Sequence, residues 1–214
     1  ALDTLQRQGV LYPCNCSRRE IADSALESSS GLVYQGQCRN GMRGGRAAHA
    51  LRVITDNTPI HFRDRLLGDY GQCLEAEVGD FVLRRADGLF AYQLAVVVDD
   101  SEQGITHIVR GADILDSTPR QIYLQHLLRL ATPSYLHLPV AVNAQGEKLS
   151  KQTKAPALDA TDPLPHLVKA LEFLGQNPPR DLAGAELEDF WAWAMANWAT
   201  HKIPPRRAIL SNAY

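Results

Sequence analysis

Tyr135-Leu136-His137-Leu138-Pro139-Val140-Ala141-Val142 runs into Asn143-Ala144-Gln145-Gly146 and then Glu147-Lys148-Leu149-Ser150-Lys151-Gln152. The first segment reads as a buried strand, the second as a turn, the third as a loop carrying two lysines and a serine. Lysine ammonium groups on such a loop can neutralise the charge of transferring phosphates. The same residues also suit a solvated surface loop, so the neighbouring segments decide the reading. Just upstream, Thr106-His107-Ile108-Val109-Arg110-Gly111 is a β-branched run ending in an arginine. Between the two runs, Ser117-Thr118-Pro119-Arg120-Gln121 opens a helix. The expectation is Thr118 as N-cap, Pro119 as first helical residue and Gln121 completing a capping box. Tyr123, Leu124, Leu127, Leu128 and Leu130 supply its apolar face. Strand, helix, strand and lysine loop in that order form half of a parallel α/β sheet, in which ligands bind beyond the carboxyl ends of strands. Arg110 and the lysine loop both stand at such ends.

Further upstream, Tyr92-Gln93-Leu94-Ala95-Val96-Val97-Val98 is a continuous apolar run closed by Asp99-Asp100. Its periodicity fits a buried helix and a buried strand equally. Alternating stretches at 50–54, 60–64 and 81–85 read as strands, and Asp87-Gly88 as a turn. His61 and Cys73 fall among them; His61 reads as structural rather than as a ligand, and Cys73 as a core residue. Near the start, a helix over Ala1 to Gln8 ends at Gly9. Val10 to Cys16 reads as a strand entering a knuckle, and Ser17 with Glu20 makes a capping box for a helix reaching Leu26. Residues 28–46 have loop chemistry.

That loop carries the second constellation. Cys14 and Cys16 stand one residue apart and Cys38 follows. Three thiolates can grip one zinc, with Tyr34 or His49 as fourth ligand; the same cysteines also read as simple buried thiols. Arg39, Arg43, Arg46 and Arg52 form a positive strip, either a solvated face or a phosphate contact surface. The four cysteines are too few and too uneven for a disulfide scaffold and point to a reducing, cytoplasmic compartment. Over the whole chain of 214 residues the net charge is −2 and apolar content 45%, which gives no global basic field for nucleic acid. No apolar run approaches a membrane span. The tail reads as helices over 165–174 and 185–198, anchored by Trp191, Trp193 and Trp198.

Taken in order, Ala91 to Asp100, Gly104 to Asp113, Thr118 to Gln121 and Lys148 to Gln152 resemble the second half of the catalytic core of class I glutamyl-tRNA synthetases. Tyr12-Pro13-Cys14-Asn15-Cys16, with Tyr34 and Cys38, resembles the zinc knuckle inserted in that core. The cysteine segment and the Lys-Leu-Ser-Lys-Gln form are most similar to the short paralogues, the glutamyl-queuosine tRNA(Asp) synthetases. The stretch after Gln152 is also too short for a full-length enzyme's anticodon-binding domain.

The resemblance implies an α/β fold: the C-terminal part of a Rossmann-like class I core, a zinc-knuckle insertion and a helical C-terminal subdomain. It divides the chain into 1–90 (knuckle with strands), 91–155 (second half of the nucleotide fold with the lysine loop) and 156–214 (helical). It implies ATP-dependent activation of glutamate and transfer to the queuosine base of tRNA(Asp). Apart from the resemblance, a monomer with no membrane partner is expected. Tyr92 and Arg110 would bind glutamate. Lys148, Ser150 and Lys151 would be catalytic, with Lys151 on ATP, and magnesium would accompany ATP. Cys14, Cys16, Tyr34 and Cys38 would hold one structural zinc. The alternatives are a truncated glutamyl-tRNA synthetase charging the tRNA 3′ end and a non-catalytic zinc-containing RNA-binding module. None of the seven histidines begins a His-x-Gly signature, so the first half of the nucleotide fold is expected to be missing and this piece inactive alone.

Overall fold

The computed structural model describes residues 1–24, 26–28, 31–42, 44, 47, 50–150, 153, 155–159 and 161–211. The chain divides into two compact units. One comprises Ala1–Arg63, Asp69–Ile108 and Asp116–Ser134, the other Asp64–Gly68, Val109–Leu115 and Tyr135–Tyr214.

The elements of the first part are α1 (Leu2–Arg7), β1 (Leu11–Cys14), α2 (Arg18–Ser24), β2 (Leu26–Ser28), β3 (Gly31–Val33), β4 (Ala50–Val53), β5 (Pro59–Asp64), β6 (Gly68–Cys73), α3 (Leu74–Glu77) and β7 (Phe81–Arg84). α1 stops where Gly9 takes a positive φ of 70°. The capping box of α2 forms: Glu20 N donates to Ser17 Oγ at 3.2 Å and Ser17 N donates to the Glu20 carboxylate at 2.8 Å. The helix ends before Leu26, because β2 and β3 pair as an antiparallel hairpin inside the stretch read as loop. β1, β4 and β7 make an antiparallel sheet. Its ladder skips one β7 residue, since Leu51 faces Arg84 while Arg52 faces Val82. Such an irregularity breaks strict alternation, and Arg52 and Val53 are consecutively buried. β6 is a strand missed by pattern reading: its sequence, Gly-Asp-Tyr-Gly-Gln-Cys, holds two glycines and little apolar alternation.

Next come α4 (Tyr92–Glu102), β8 (His107–Gly111), a 3-10 helix (Ala112–Ser117), α5 (Thr118–Leu128), β9 (Ser134–Leu138) and β10 (Val140–Val142). The undecided run is a helix, and Leu94 and Val97, three apart, are its buried positions. β8 and β9, which precede and follow α5 in the chain, are hydrogen-bonded neighbours. α5 begins one residue early. Ser117 holds the N-cap position without a capping bond, because the 3-10 helix runs directly into it. Gln121 donates to Gln93 at 3.0 Å instead of closing a box. The apolar run 135–142 is two strands, since Pro139 has no N–H for a ladder. β10 pairs in parallel with the last strand of the chain.

That tail contains α6 (Leu164–Phe173), a 3-10 helix (Arg180–Gly184), α7 (Leu187–Asn197) and β11 (Ala208–Leu210). Val168, Leu171, Leu182, Phe190 and Ala194 form its core, with Trp193 packed against it. Trp191 and Trp198 are half-exposed, so only one tryptophan anchors the helices; Phe190 and Ala194, four apart, take the inward face of α7. In the first unit the deepest apolar residues are Leu5, Val53, Leu83 and Leu124. Cys73 is only part-buried, so it is not the core residue expected; His61 is exposed and lies over Gly71. Among the described residues no helix is long and apolar enough to cross a membrane.

Candidate metal knuckle and candidate active site

In the first unit β1 delivers Cys14 and Cys16 to the start of the knuckle, and β3 delivers Tyr34. The thiols of Cys14, Cys16 and Cys38 lie within 4.8 Å of one another. The Tyr34 hydroxyl stands 3.3 Å from the Cys14 sulfur and 3.4 Å from that of Cys16, and the Cys38 sulfur is 3.5 Å from that of Cys16. Tetrahedral zinc with Zn–S bonds of about 2.3 Å needs donors roughly 3.5–3.8 Å apart, so three sulfurs and one oxygen fit. His49, the other candidate for fourth ligand, lies outside the described residues, as do Arg43 and Arg46.

The surroundings are charged and buried. Arg52 places its guanidinium carbon 3.9 Å above the Tyr34 ring and donates to the Asp80 carbonyl at 2.7 Å. Burial raises the Cys14 thiol, but hydrogen bonds from Tyr34, the Cys16 backbone and Arg52 outweigh it and the net shift is downward. Burial pushes Cys16 up to about 11. Burial, then the neighbouring thiols, raises the Tyr34 hydroxyl. Arg39 is clamped by Asp80 at 2.6 Å through both Nε and Nη2, and by Glu75 at 3.1 Å. Asp80 is fully buried and also accepts from Tyr12 at 2.6 Å and from Thr55 N at 2.8 Å. Two of the four arginines of the positive strip are thus internal struts, not a phosphate face. The short backbone approach of Tyr34 to Gly79 explains one glycine: a Cβ there would collide with Tyr34 main-chain atoms, and φ is +73°.

Tyr92 opens α4 in the first unit and is exposed. The second unit holds Arg110 and the lysine loop. Arg110, near the end of β8, donates from Nε to Nε2 of His137 on β9 at 2.9 Å, and its guanidinium carbon lies 5.4 Å from the Tyr135 ring centre. His137 Nδ1 meets the Asp64 carboxylate at 2.7 Å, and both side chains are 0% exposed. Burial opposes the charge on Asp64, yet bonds from His137 and from the Leu67, Leu66 and His137 amides hold its pKa down. Burial likewise lowers His137.

The described part of the lysine loop, up to Ser150, is braced by hydrogen bonds. Leu149 N donates to Ala141 O and Asn143 N to Glu147 O, both at 2.9 Å, so the loop folds back on β10. Asn143 Oδ1 accepts from the amides of Gln145 and Glu147, and Gly146 supplies the positive φ the turn demands. Thr153 Oγ1 ties the carbonyls of Lys148 and Ser150 at 3.0 Å each. Lys148 pairs with Asp113 at 2.6 Å. Gly111 makes that possible, because a Cβ there would strike the Asp113 carboxylate. Ser150 is described and part-buried. Lys151 and Gln152 lie outside the described residues. Pattern reading missed Asp64, His137, Asp80 and Asp113. Asp113 was readable only as part of the Arg-Gly-Ala-Asp run, and the others are remote in sequence from their partners.

The family model for the catalytic domain of class I tRNA synthetases (E and Q) matches residues 2–180. A glutamyl-Q tRNA(Asp) synthetase of Dechloromonas aromatica is 55% identical over 98% of this chain and 70% of its own length. Those of Thiobacillus denitrificans and Cupriavidus metallidurans are 48% and 61% identical, over 71% and 58% of their lengths. The chain covers 100% and 82% of itself in those two comparisons. Among solved structures, a glutamate-tRNA synthetase of Elizabethkingia anophelis aligns with TM-score 0.70 at 19% identity, covering 99% of this chain and 50% of that one. A glutamate tRNA ligase of Elizabethkingia meningosepticum aligns with TM-score 0.63 at 18% identity, over 95% and 49%. The chain therefore spans about seven-tenths of its first curated relative and half of the solved chains. The fold is the mixed α/β fold of that catalytic domain, and this chain belongs to the class I tRNA synthetase family of the E and Q type, among the glutamyl-Q tRNA(Asp) synthetases.

Proposed function

We propose that the whole protein activates glutamate with ATP to glutamyl-adenylate and transfers the glutamate to the queuosine base of tRNA(Asp). The observation that carries this reading is the 55% identity over 98% of the chain with a relative named for that activity. Arg110 supports it, since a guanidinium can grip the substrate side-chain carboxylate in a bidentate pair. Tyr92, in the other unit, is assigned to glutamate on the resemblance alone. Lys148, Ser150 and Lys151 serve the phosphates, with Lys151 on ATP and magnesium travelling with the nucleotide. The glutamate α-carboxylate attacks the α-phosphate in line and pyrophosphate leaves. Positioning and charge stabilisation carry the step, and no protein nucleophile is needed. Cys14, Cys16, Tyr34 and Cys38 hold one zinc, which cross-links the knuckle and takes no part in the chemistry. Segments 1–90, 91–155 and 156–214 divide these duties as knuckle, nucleotide side and helical closure. The protein acts as a monomer in the cytoplasm.

The test uses full-length protein with radiolabelled glutamate, ATP and three RNAs: queuosine-bearing tRNA(Asp), unmodified tRNA(Asp) and tRNA(Glu). Label is expected only on the first, through a bond that survives removal of the tRNA 3′ end. Label on the 3′ end of tRNA(Glu) makes the protein a truncated glutamyl-tRNA synthetase. RNA binding without glutamate-dependent ATP–pyrophosphate exchange makes it a non-catalytic module.

A further inference from the structure

We infer that His137 and Asp64 are positioning residues that act through Arg110, setting the direction of its guanidinium without neutralising its charge. The inference rests on Arg110 as the glutamate-side-chain ligand. Its geometry lies within one unit.

Arg110 Nε–H points at His137 Nε2 across 2.9 Å. A guanidinium only donates, so Nε2 must offer a lone pair and the imidazole proton sits on Nδ1. Nδ1–H then donates to Asp64 Oδ2 at 2.7 Å. Asp64 is itself fixed from the backbone: Leu66 N and Leu67 N donate to Oδ1 at 3.0 and 2.9 Å, and His137 N donates to Oδ2 at 3.1 Å. Asp64 and His137 are fully buried, while Arg110 is only part-buried. The rigid end of the chain is inside and the cation is at its outer end. The Tyr135 ring, nearly parallel to His137 at 6.1 Å, also lies near the guanidinium at 5.4 Å.

A carboxylate in the place of His137 would hold Arg110 as firmly, but it would cancel the charge that must attract the substrate. A neutral imidazole acceptor fixes the plane of the guanidinium and leaves its positive charge intact. Asp64, one residue further in, fixes the tautomer by direct contact with Nδ1. The same second-layer logic operates when a carboxylate orients a metal-bound histidine. Bidentate capture of a carboxylate demands a fixed plane, so the relay acts on substrate affinity.

The arrangement also has a pH signature. The charged groups facing His137 are Asp64, Arg110 and Arg207. Protonating Nε2 would turn two donors toward each other and break the contact. Burial, and the positive charge of Arg110, hold His137 below its ordinary value against the pull of Asp64. The glutamate KM should therefore stay flat as pH falls through the ordinary histidine range, near about 6.5, and rise only below it.

The test uses full-length protein, with glutamate and ATP KM values from ATP–pyrophosphate exchange and 15N-histidine NMR. His137→Leu should raise the glutamate KM about tenfold or more, since a lost hydrogen bond to a charged group is worth that much. The ATP KM should hold. His137→Gln, which can accept near the Nε2 position, should recover most of the loss and remove the acid limb of the KM profile. The NMR signal lost in His137→Gln should belong to an Nδ1–H tautomer. An Nε2–H tautomer, or equal glutamate KM values in wild type and His137→Leu, overturns the relay. Arg110→Ala separates the two readings. If it leaves the glutamate KM unchanged, the substrate role of Arg110 itself has failed. If it raises KM while His137→Leu does not, only the relay has failed. Should His137→Leu not fold, the tautomer and the His137→Gln profile still decide.

Discussion

Asp80 shows how one buried carboxylate can organise the residues around it. It is fully buried and accepts from Arg39, Tyr12 and Thr55, while its carbonyl receives Arg52. Burial alone would raise its pKa; hydrogen bonds from Arg39, Tyr12 and the Thr55 backbone, with the Arg39 charge, overcome that and hold it below the usual carboxylate value. A carboxyl depressed in the folded state stabilises the fold at pH above its unfolded pKa, and that stabilisation fades as pH falls through the folded value. Stability should thus be flat through neutral pH and decline on the acid side of the ordinary carboxylate range. Asp80→Asn takes from Arg39 its main carboxylate and leaves it Glu75 and the Thr55 carbonyl. Losing hydrogen bonds to a charged group costs about 1.5–3 kcal/mol. Chemical denaturation at pH 7 should show that loss, and the difference from wild type should shrink toward pH 3. A difference independent of pH would mean that shape, not charge, is what Asp80 contributes.

At the scale of elements, the strand-end segment Arg110-Gly111-Ala112-Asp113 serves both candidate substrate groups of the second unit. Arg110 engages His137, and Asp113 engages Lys148 on the loop after β10, with Gly111 leaving room for the carboxylate. The Lys148 side chain is half-exposed, so its pair adds little stability. Asp113→Asn should leave the melting temperature within about 1–2 °C of wild type, yet shift the ATP KM severalfold with the glutamate KM unchanged. A stability loss with unaltered ATP kinetics would make Asp113–Lys148 a structural tie and remove the loop from the nucleotide site. Much of this was legible beforehand. The β-branched run ending in Arg110, the helix opening at Pro119 and the turn at Gly146 each carry a local signal. The undecided run at Tyr92 needed its packing partner: a seven-residue apolar stretch has no preferred period until α5 lies against it. Pro139 sits inside one continuous apolar run, although its missing N–H splits β9 from β10. Asp64 and Asp80 carry no local signal, because an isolated aspartate looks alike whether it faces water or receives four or five donors. That distinction is made by residues up to 73 positions away.

Over the whole molecule, the buried apolar clusters are unequal in kind. The helical tail has an ordinary core of Val168, Leu171, Leu182, Phe190 and Ala194. The knuckle buries Tyr12, Cys14, Tyr34 and Cys38, with Cys16, Ile21 and Ile54 packed beside them. Its cluster consists largely of the proposed metal donors, so the group that would complete it supplies much of its cohesion. Zinc binding in such small sites is largely folding free energy. Withdrawing metal from the purified protein with a strong chelator should therefore act locally. Hydrogen exchange should speed up across Tyr12 to Cys38 and in β4, whose Arg52 stacks on Tyr34. The amides of α6 and α7 should keep their protection, because nothing in their core depends on the thiols. Cobalt substitution supplies the matching spectrum: a thiolate charge-transfer band with tetrahedral d–d intensity, weakened but not abolished in Tyr34→Phe, whose three sulfurs remain. If metal analysis finds no zinc while all four thiols titrate as reduced, or if chelation leaves exchange over 12–38 unchanged, the cysteines are buried thiols and the knuckle stands on the Asp80 network alone.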